Sequence, residues 1–171
     1  LLGRAQSRTF CPRCSDATQT RSRGSLGKTS TAESQTRTRS INFLSDRNLG
    51  GHAEILLGNI ASQGWLNLLP IRFVTFKQMN LSIDSNDRVV WRLAQANQMI
   101  LLTANRSMKG EDSLEQVIRE ENTVDSLPVI TIGDADRFLA DRVYRNRCVD
   151  RILEILLDIE TWMGVGRLFV P

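Results

Sequence analysis

Five short apolar runs, separated by segments with helical spacing, constrain this chain most: Ile41-Asn42-Phe43-Leu44, Ile71 to Phe76, Met99 to Leu102, Val129 to Ile132, and Leu168-Phe169-Val170. They are rich in β-branched and aromatic residues and alternate little with polar ones, which suits strands covered on both faces. The segments between them are long enough for crossover helices. Strand alternating with helix predicts an α/β fold of three layers, a mostly parallel five-stranded sheet flanked by helices.

Four helices are expected. The first follows Gly50-Gly51, turns Ile55, Leu56 and Ile60 toward the sheet, and stops near Gln63-Gly64. The second starts in the cap-rich cluster Asp84-Ser85-Asn86-Asp87 and places Val89, Val90, Leu93 and Ala94 on one face. The third begins at Asp112, with Glu115 three residues on as in a capping box, and carries Leu114, Val117 and Ile118 inward. The fourth is read as one long helix from Asp136 to Trp162, with Phe138, Leu139, Val143, Ile152, Leu156 and Ile159 as its buried stripe and Gly164 and Gly166 beyond it.

Charge separates the chain into two parts. Residues 1–40 hold eight Lys or Arg against two Asp or Glu, with fourteen Ser or Thr, whereas residues 41–171 hold fourteen against seventeen. The basic pI therefore belongs to the tail, and a globally basic RNA-coating protein is not indicated. With Leu1, Leu2, Phe10 and Leu26 as its only large apolar residues, the 1–40 tail cannot offset its chain entropy and is expected to be disordered. Its composition also suits an organelle transit peptide, although it shows no amphipathic apolar face. Residues 41–171 suffice for one domain.

The tail's Cys11-Pro12-Arg13-Cys14 is a lone pair of thiols. Structural zinc needs four ligands, and the only other Cys and His, Cys148 and His52, are distant in sequence. No apolar run approaches the roughly 20 residues of a membrane span, so a cytoplasmic protein without membrane contact is expected.

In an open parallel sheet, ligands bind beyond the carboxyl ends of the strands. Ser45-Asp46-Arg47-Asn48, Thr103-Ala104-Asn105-Arg106 and Gly133-Asp134-Ala135-Asp136 follow three of the runs, and Asp87 opens the second helix. If those strands are neighbours, Asp46, Asp87 and Asn105, with Asp134 or Asp136, form one acidic pocket. Such hard oxygen ligands suit Mg²⁺ or Mn²⁺, which polarises a phosphodiester and activates water. Each acid also has a plainer reading: Asp87 as an exposed helix-start acid, and Asp134 or Asp136 as a cap of the fourth helix. Asp46 has no helix to cap before Gly50. Arg47 and Arg106 flank the rim and are placed to contact RNA phosphates. Arg88 and Arg92, one helical turn apart, either do likewise or pair with nearby acids.

The stretches Phe43-Leu44-Ser45-Asp46-Arg47-Asn48-Leu49, Ser85-Asn86-Asp87-Arg88-Val89-Val90-Trp91-Arg92-Leu93-Ala94 and Ile100-Leu101-Leu102-Thr103-Ala104-Asn105 resemble the compact, toxin-like subgroup of the PIN-like family. The resemblance covers residues 41–107 by motif and the remainder by element order. It implies a parallel sheet with flanking helices and an Mg²⁺- or Mn²⁺-dependent endoribonuclease, often a toxin paired with an antitoxin. Asp46 matches the first metal-binding acid and Asp87 the helix acid. Asn105 stands where the family usually has Asp, and Ser107 where a second acid often follows. A neutral ligand lowers affinity for a hard dication, so the resemblance also admits an inactive binding module that works through a protein partner or as a homodimer. Glu54 is a replacement acid to consider.

Residues 41–171 are also similar to short bacterial chains that have carried the name acyl carrier protein S-malonyltransferase. That chemistry needs a Ser nucleophile in a Gly-His-Ser-x-Gly elbow, and this chain has Gly51-His52-Ala53-Glu54, with Ala53 at the nucleophile position. Without the hydroxyl there is no acyl-enzyme by that route. His52, the only histidine, is either a helix-start residue satisfied by backbone or a group that orients phosphate or water. Tyr144 and Trp162 are read as packing the last helix.

Overall fold

The apolar runs fold as β1 (Ile41–Ser45), β2 (Ile71–Thr75), β3 (Met99–Thr103), β4 (Val129–Ile132) and β5 (Arg167–Val170) in a computed structural model that describes residues 40–106, 110 and 112–171. The tail expectations, with Cys11 and Cys14, lie outside the described residues, as does Ser107. The five strands form one sheet in the order β2-β1-β3-β4-β5, and all four pairings are parallel. The central strands explain the continuous apolar runs: every residue of β3 and β4 is buried. Alternate residues serve opposite layers. Phe43, Ile100, Leu102, Ile130 and Ile132 pack in one core, and Leu44, Leu101 and Val129 in the other. A large apolar side chain buried this completely contributes about 1.5–3 kcal/mol.

Helices cover both faces. On the first lie α1 (Gly50–Ser62), α4 (Ala135–Ala140) and α5 (Arg142–Leu157). On the second lie α2 (Asp87–Ala96) and α3 (Leu114–Glu121). The result is the three-layer α/β architecture expected from the sequence. None of the described helices is long and apolar enough to cross a membrane.

Several helical details depart from the sequence reading. The expected long fourth helix is two helices. At Asp141 the backbone is extended (φ −108°, ψ 109°), and the side chain accepts the Val143 and Tyr144 N–H groups, so one residue ends α4 and caps α5. The break rotates Leu139 and Val143 outward, leaving Val143 70% exposed. Ile55 on α1 and Val89 on α2 also face outward, and Trp91 is the aromatic residue that α2 buries. α3 starts at Leu114, capped by Ser113, whose Oγ accepts the Gln116 N–H. Before β5, Gly164 and Gly166 take left-handed φ values of 74° and 86°. A Cβ there would meet Val124 Cα or Ile118 Cγ2 at 2.9 Å, so the turn needs glycine.

This topology positions a site. From β1 the chain passes to β2 on one side and then returns to β3 on the other. The connections diverge there, opening a crevice beyond the carboxyl ends of β1 and β3.

Candidate active site

Asp46 directly follows β1, and Asn105 lies two residues beyond β3. Both line a cavity of about 350 Å³ at the crevice, together with Asp87, Arg47, Asn48 and Thr103. Its apolar wall comes from Phe76, Val90, Leu101 and Leu114. Three of the residues singled out from sequence, Asp46, Asp87 and Asn105, therefore meet in one place.

A chain of hydrogen bonds joins them. Thr103 Oγ1 donates to Asp46 Oδ2 at 2.7 Å and accepts the Asn105 N–H at 2.9 Å. Asn105 Nδ2 donates to Asp87 Oδ2 at 3.2 Å, and that oxygen also accepts the Leu114 N–H at 2.9 Å. Asp46 precedes a short 3-10 turn, Arg47–Leu49, yet its carboxylate makes no cap bond there. Asp87 likewise does not cap its own helix, because Asn86 Oδ1 accepts the Val89 N–H. Instead it receives the first N–H of α3, drawing two helices to the rim.

Burial against the apolar wall pushes the Asp87 carboxyl above its ordinary value, and the Asp46 charge adds to this. The Leu114 N–H, Arg167 and Arg47 oppose it. Arg167 was not singled out from sequence. It opens β5, its side chain is 5% exposed, and its Nη1 donates to the Asn105 carbonyl at 3.0 Å. Burial lowers its pKa, while Glu115 and Asp87 counter that. An arginine at the start of a strand reads as a solvated edge residue, so only the contacts reveal its placement.

Other expectations are placed elsewhere. Asp134 is exposed and caps α4, accepting the Arg137 N–H at 2.9 Å, and it does not line the cavity. Its capping role accounts for its position, as Asn86 and Asp141 show for their own helices. Asp136 is exposed in the first turn of α4, and Glu54 is exposed on α1. Arg47 lines the cavity and donates to the Ile83 carbonyl, whereas Arg106 is exposed and outside the lining. Arg88 pairs with Asp112, Glu120 and Glu121, and Arg92 with Glu121. His52 Nε2 lies 3.1 Å from the Ala135 carbonyl, joining α1 to α4. Ala53 is buried inside α1. Tyr144 is buried and donates to the Pro171 carbonyl, and Trp162 packs under Arg151.

Among the described residues, no three His, Cys, Asp or Glu side chains gather closely enough to hold a metal ion. The donor set at the cavity is thus two carboxylates plus one amide. That set suits a hard cation that keeps several waters and takes one or two protein carboxylates, as Mg²⁺ does, and not a closed nitrogen and sulfur site.

Fold and cavity together define a three-layer α/β protein with an acidic pocket at its topological switch point. Comparison with protein-family models, with curated proteins and with solved structures returns no significant match.

Proposed function

We propose that the chain is a cytoplasmic PIN-like endoribonuclease, dependent on Mg²⁺ or Mn²⁺, with a weakened acidic site. The observation that carries this reading is the convergence of Asp46, Asp87 and Asn105 on one cavity beyond β1 and β3. Asp46 and Asp87 hold the cation, and the Asn105 amide oxygen adds a neutral ligand. When bound, the ion supplies Lewis-acid polarisation and an acidified water. The protein's own contribution is orientation. Thr103 fixes the Asp46 carboxylate, while the Leu114 N–H and Asn105 fix that of Asp87. Arg47 at the cavity and the exposed Arg106 contact RNA phosphates.

A second reading has its own support. Among the described residues the cavity gathers only two carboxylates, Asp46 and Asp87, beside the uncharged Asn105 amide, and affinity for a hard dication depends on ligand charge. This favours an inactive PIN-like module that binds a protein partner, antitoxin-like or a second copy of itself.

Incubation of the full chain with single-stranded and structured RNA in Mn²⁺, beside Asp46→Asn and Asn105→Asp, separates the two. The nuclease reading expects cleavage that disappears with Asp46→Asn and strengthens with Asn105→Asp. Absence of cleavage by both the natural chain and Asn105→Asp contradicts it and supports the binding module.

A further inference from the structure

Arg167 is a buried cation that its nearest neighbours do not satisfy. Its Nη1 is bonded to the Asn105 carbonyl, but Nε and Nη2 are buried without hydrogen-bond partners among the described residues. Glu115 Oε2 lies 3.6 Å from Nε, close enough for an ion pair and too far for a good hydrogen bond, and Glu115 is shared with the exposed Arg119. The Phe169 ring centre, 5.9 Å away, adds only a weak attraction. Burying a charge with such partial pairing is costly, so something else must favour it there. The cavity beside it supplies part of that field: after Glu115, the Asp87 carboxylate favours the charge on Arg167, and Asn105 links the two, its side chain bonded to Asp87 and its carbonyl to Arg167.

We infer that Arg167 is the internal counter-ion of the acidic cavity, a positioning residue that holds Asn105 from beneath and sets a low affinity for the dication. The inference rests on Asp46 and Asp87 being a dication site. Arg47 also carries positive charge at the cavity, but it is exposed, and solvent screens it. The charge on Arg167 is fixed in the interior, where it opposes an incoming Mg²⁺ or Mn²⁺ directly. Asn105 and Arg167 act in the same direction: one removes a negative charge from the site, and the other adds a positive charge behind it.

The test is calorimetric titration of Mn²⁺ into the full chain, with Asp46→Asn as the control for binding elsewhere. Arg167→Gln removes the charge and keeps a donor for the Asn105 carbonyl, so binding should tighten about tenfold. Arg167→Lys keeps the charge and should stay within about threefold of the natural chain. Glu115→Gln leaves Arg167 less compensated and should weaken binding severalfold. A mere loss of packing would not tighten binding. If Arg167→Gln is folded and binds Mn²⁺ no more tightly than a natural chain that does bind it, the counter-ion role is overturned and the metal site stands. If Arg167→Gln does not fold, unchanged affinity in Glu115→Gln overturns the role. Binding seen only after Arg167→Gln, and dependent on Asp46, upholds the role and contradicts metal dependence of the natural chain. No binding in any variant overturns both.

Discussion

The side-chain amide of Asn105 donates from Nδ2 to Oδ2 of Asp87 at 3.2 Å, so the two residues attract each other. An aspartate at position 105 would replace that donor with a second carboxylate at the same distance. Asn105→Asp should therefore destabilise the chain by about 1–3 kcal/mol at neutral pH in the presence of a chelator. Saturating Mn²⁺ should return most of the loss, because a bound dication would offset the added negative charge. Urea unfolding with chelator and with Mn²⁺ measures both. Equal stability of variant and natural chain in chelator would show that the Asn105–Asp87 bond carries no weight.

Asp87 gives a pH dependence of defined sign. Its carboxyl is raised above the ordinary value of 3.8, first by burial and then by the Asp46 charge. The fold thus prefers the protonated form. The resulting stabilisation is fully present below the ordinary value and is lost as pH rises through the folded pKa. Asp46→Asn removes the like charge and should move the Asp87 titration down toward the ordinary value, as read by carboxyl-carbon NMR. A titration that stays in place or moves upward would mean that the two acids do not share one field.

Asp141 should matter for stability and not for the site. It accepts two N–H groups at the start of α5 and pairs with Arg137, and the Tyr144 N–H foremost holds its carboxyl below the usual range. Asp141→Ala should cost about 0.5–2 kcal/mol, the usual loss for an N-cap. Thermal unfolding together with Mn²⁺ titration checks this. A large change in Mn²⁺ affinity would link α5 to the cavity in a way the contacts do not.

The parts of the fold legible in the sequence are those in which one physical demand dominates. Met99 to Leu102 and Val129 to Ile132 are apolar throughout because both faces of their strands are covered. The meeting of Asp46 and Asn105 was legible because chain order alone predicts which loops face the sheet's carboxyl end. Asp87 joined them through the start of its helix. The break at Asp141 was hidden because Leu139 and Val143 continue an apolar spacing although both face solvent. A carboxylate that could serve as either ligand or cap, as at Asp134, is undecided until the neighbouring N–H groups are placed. Arg167 was not legible at all. Its meaning comes from a carbonyl 62 residues earlier in the chain and from a glutamate on α3.

Paramagnetic broadening of backbone amide signals by substoichiometric Mn²⁺ tests the central claim, that Asp46 and Asp87 form one dication site, most directly. The account predicts that Asp46, Asp87, Thr103, Asn105 and Leu114 broaden first, together, and that Asp46→Asn abolishes the effect. Broadening centred on another acidic group, such as Glu120 and Glu121, or no selective broadening at all, would contradict it.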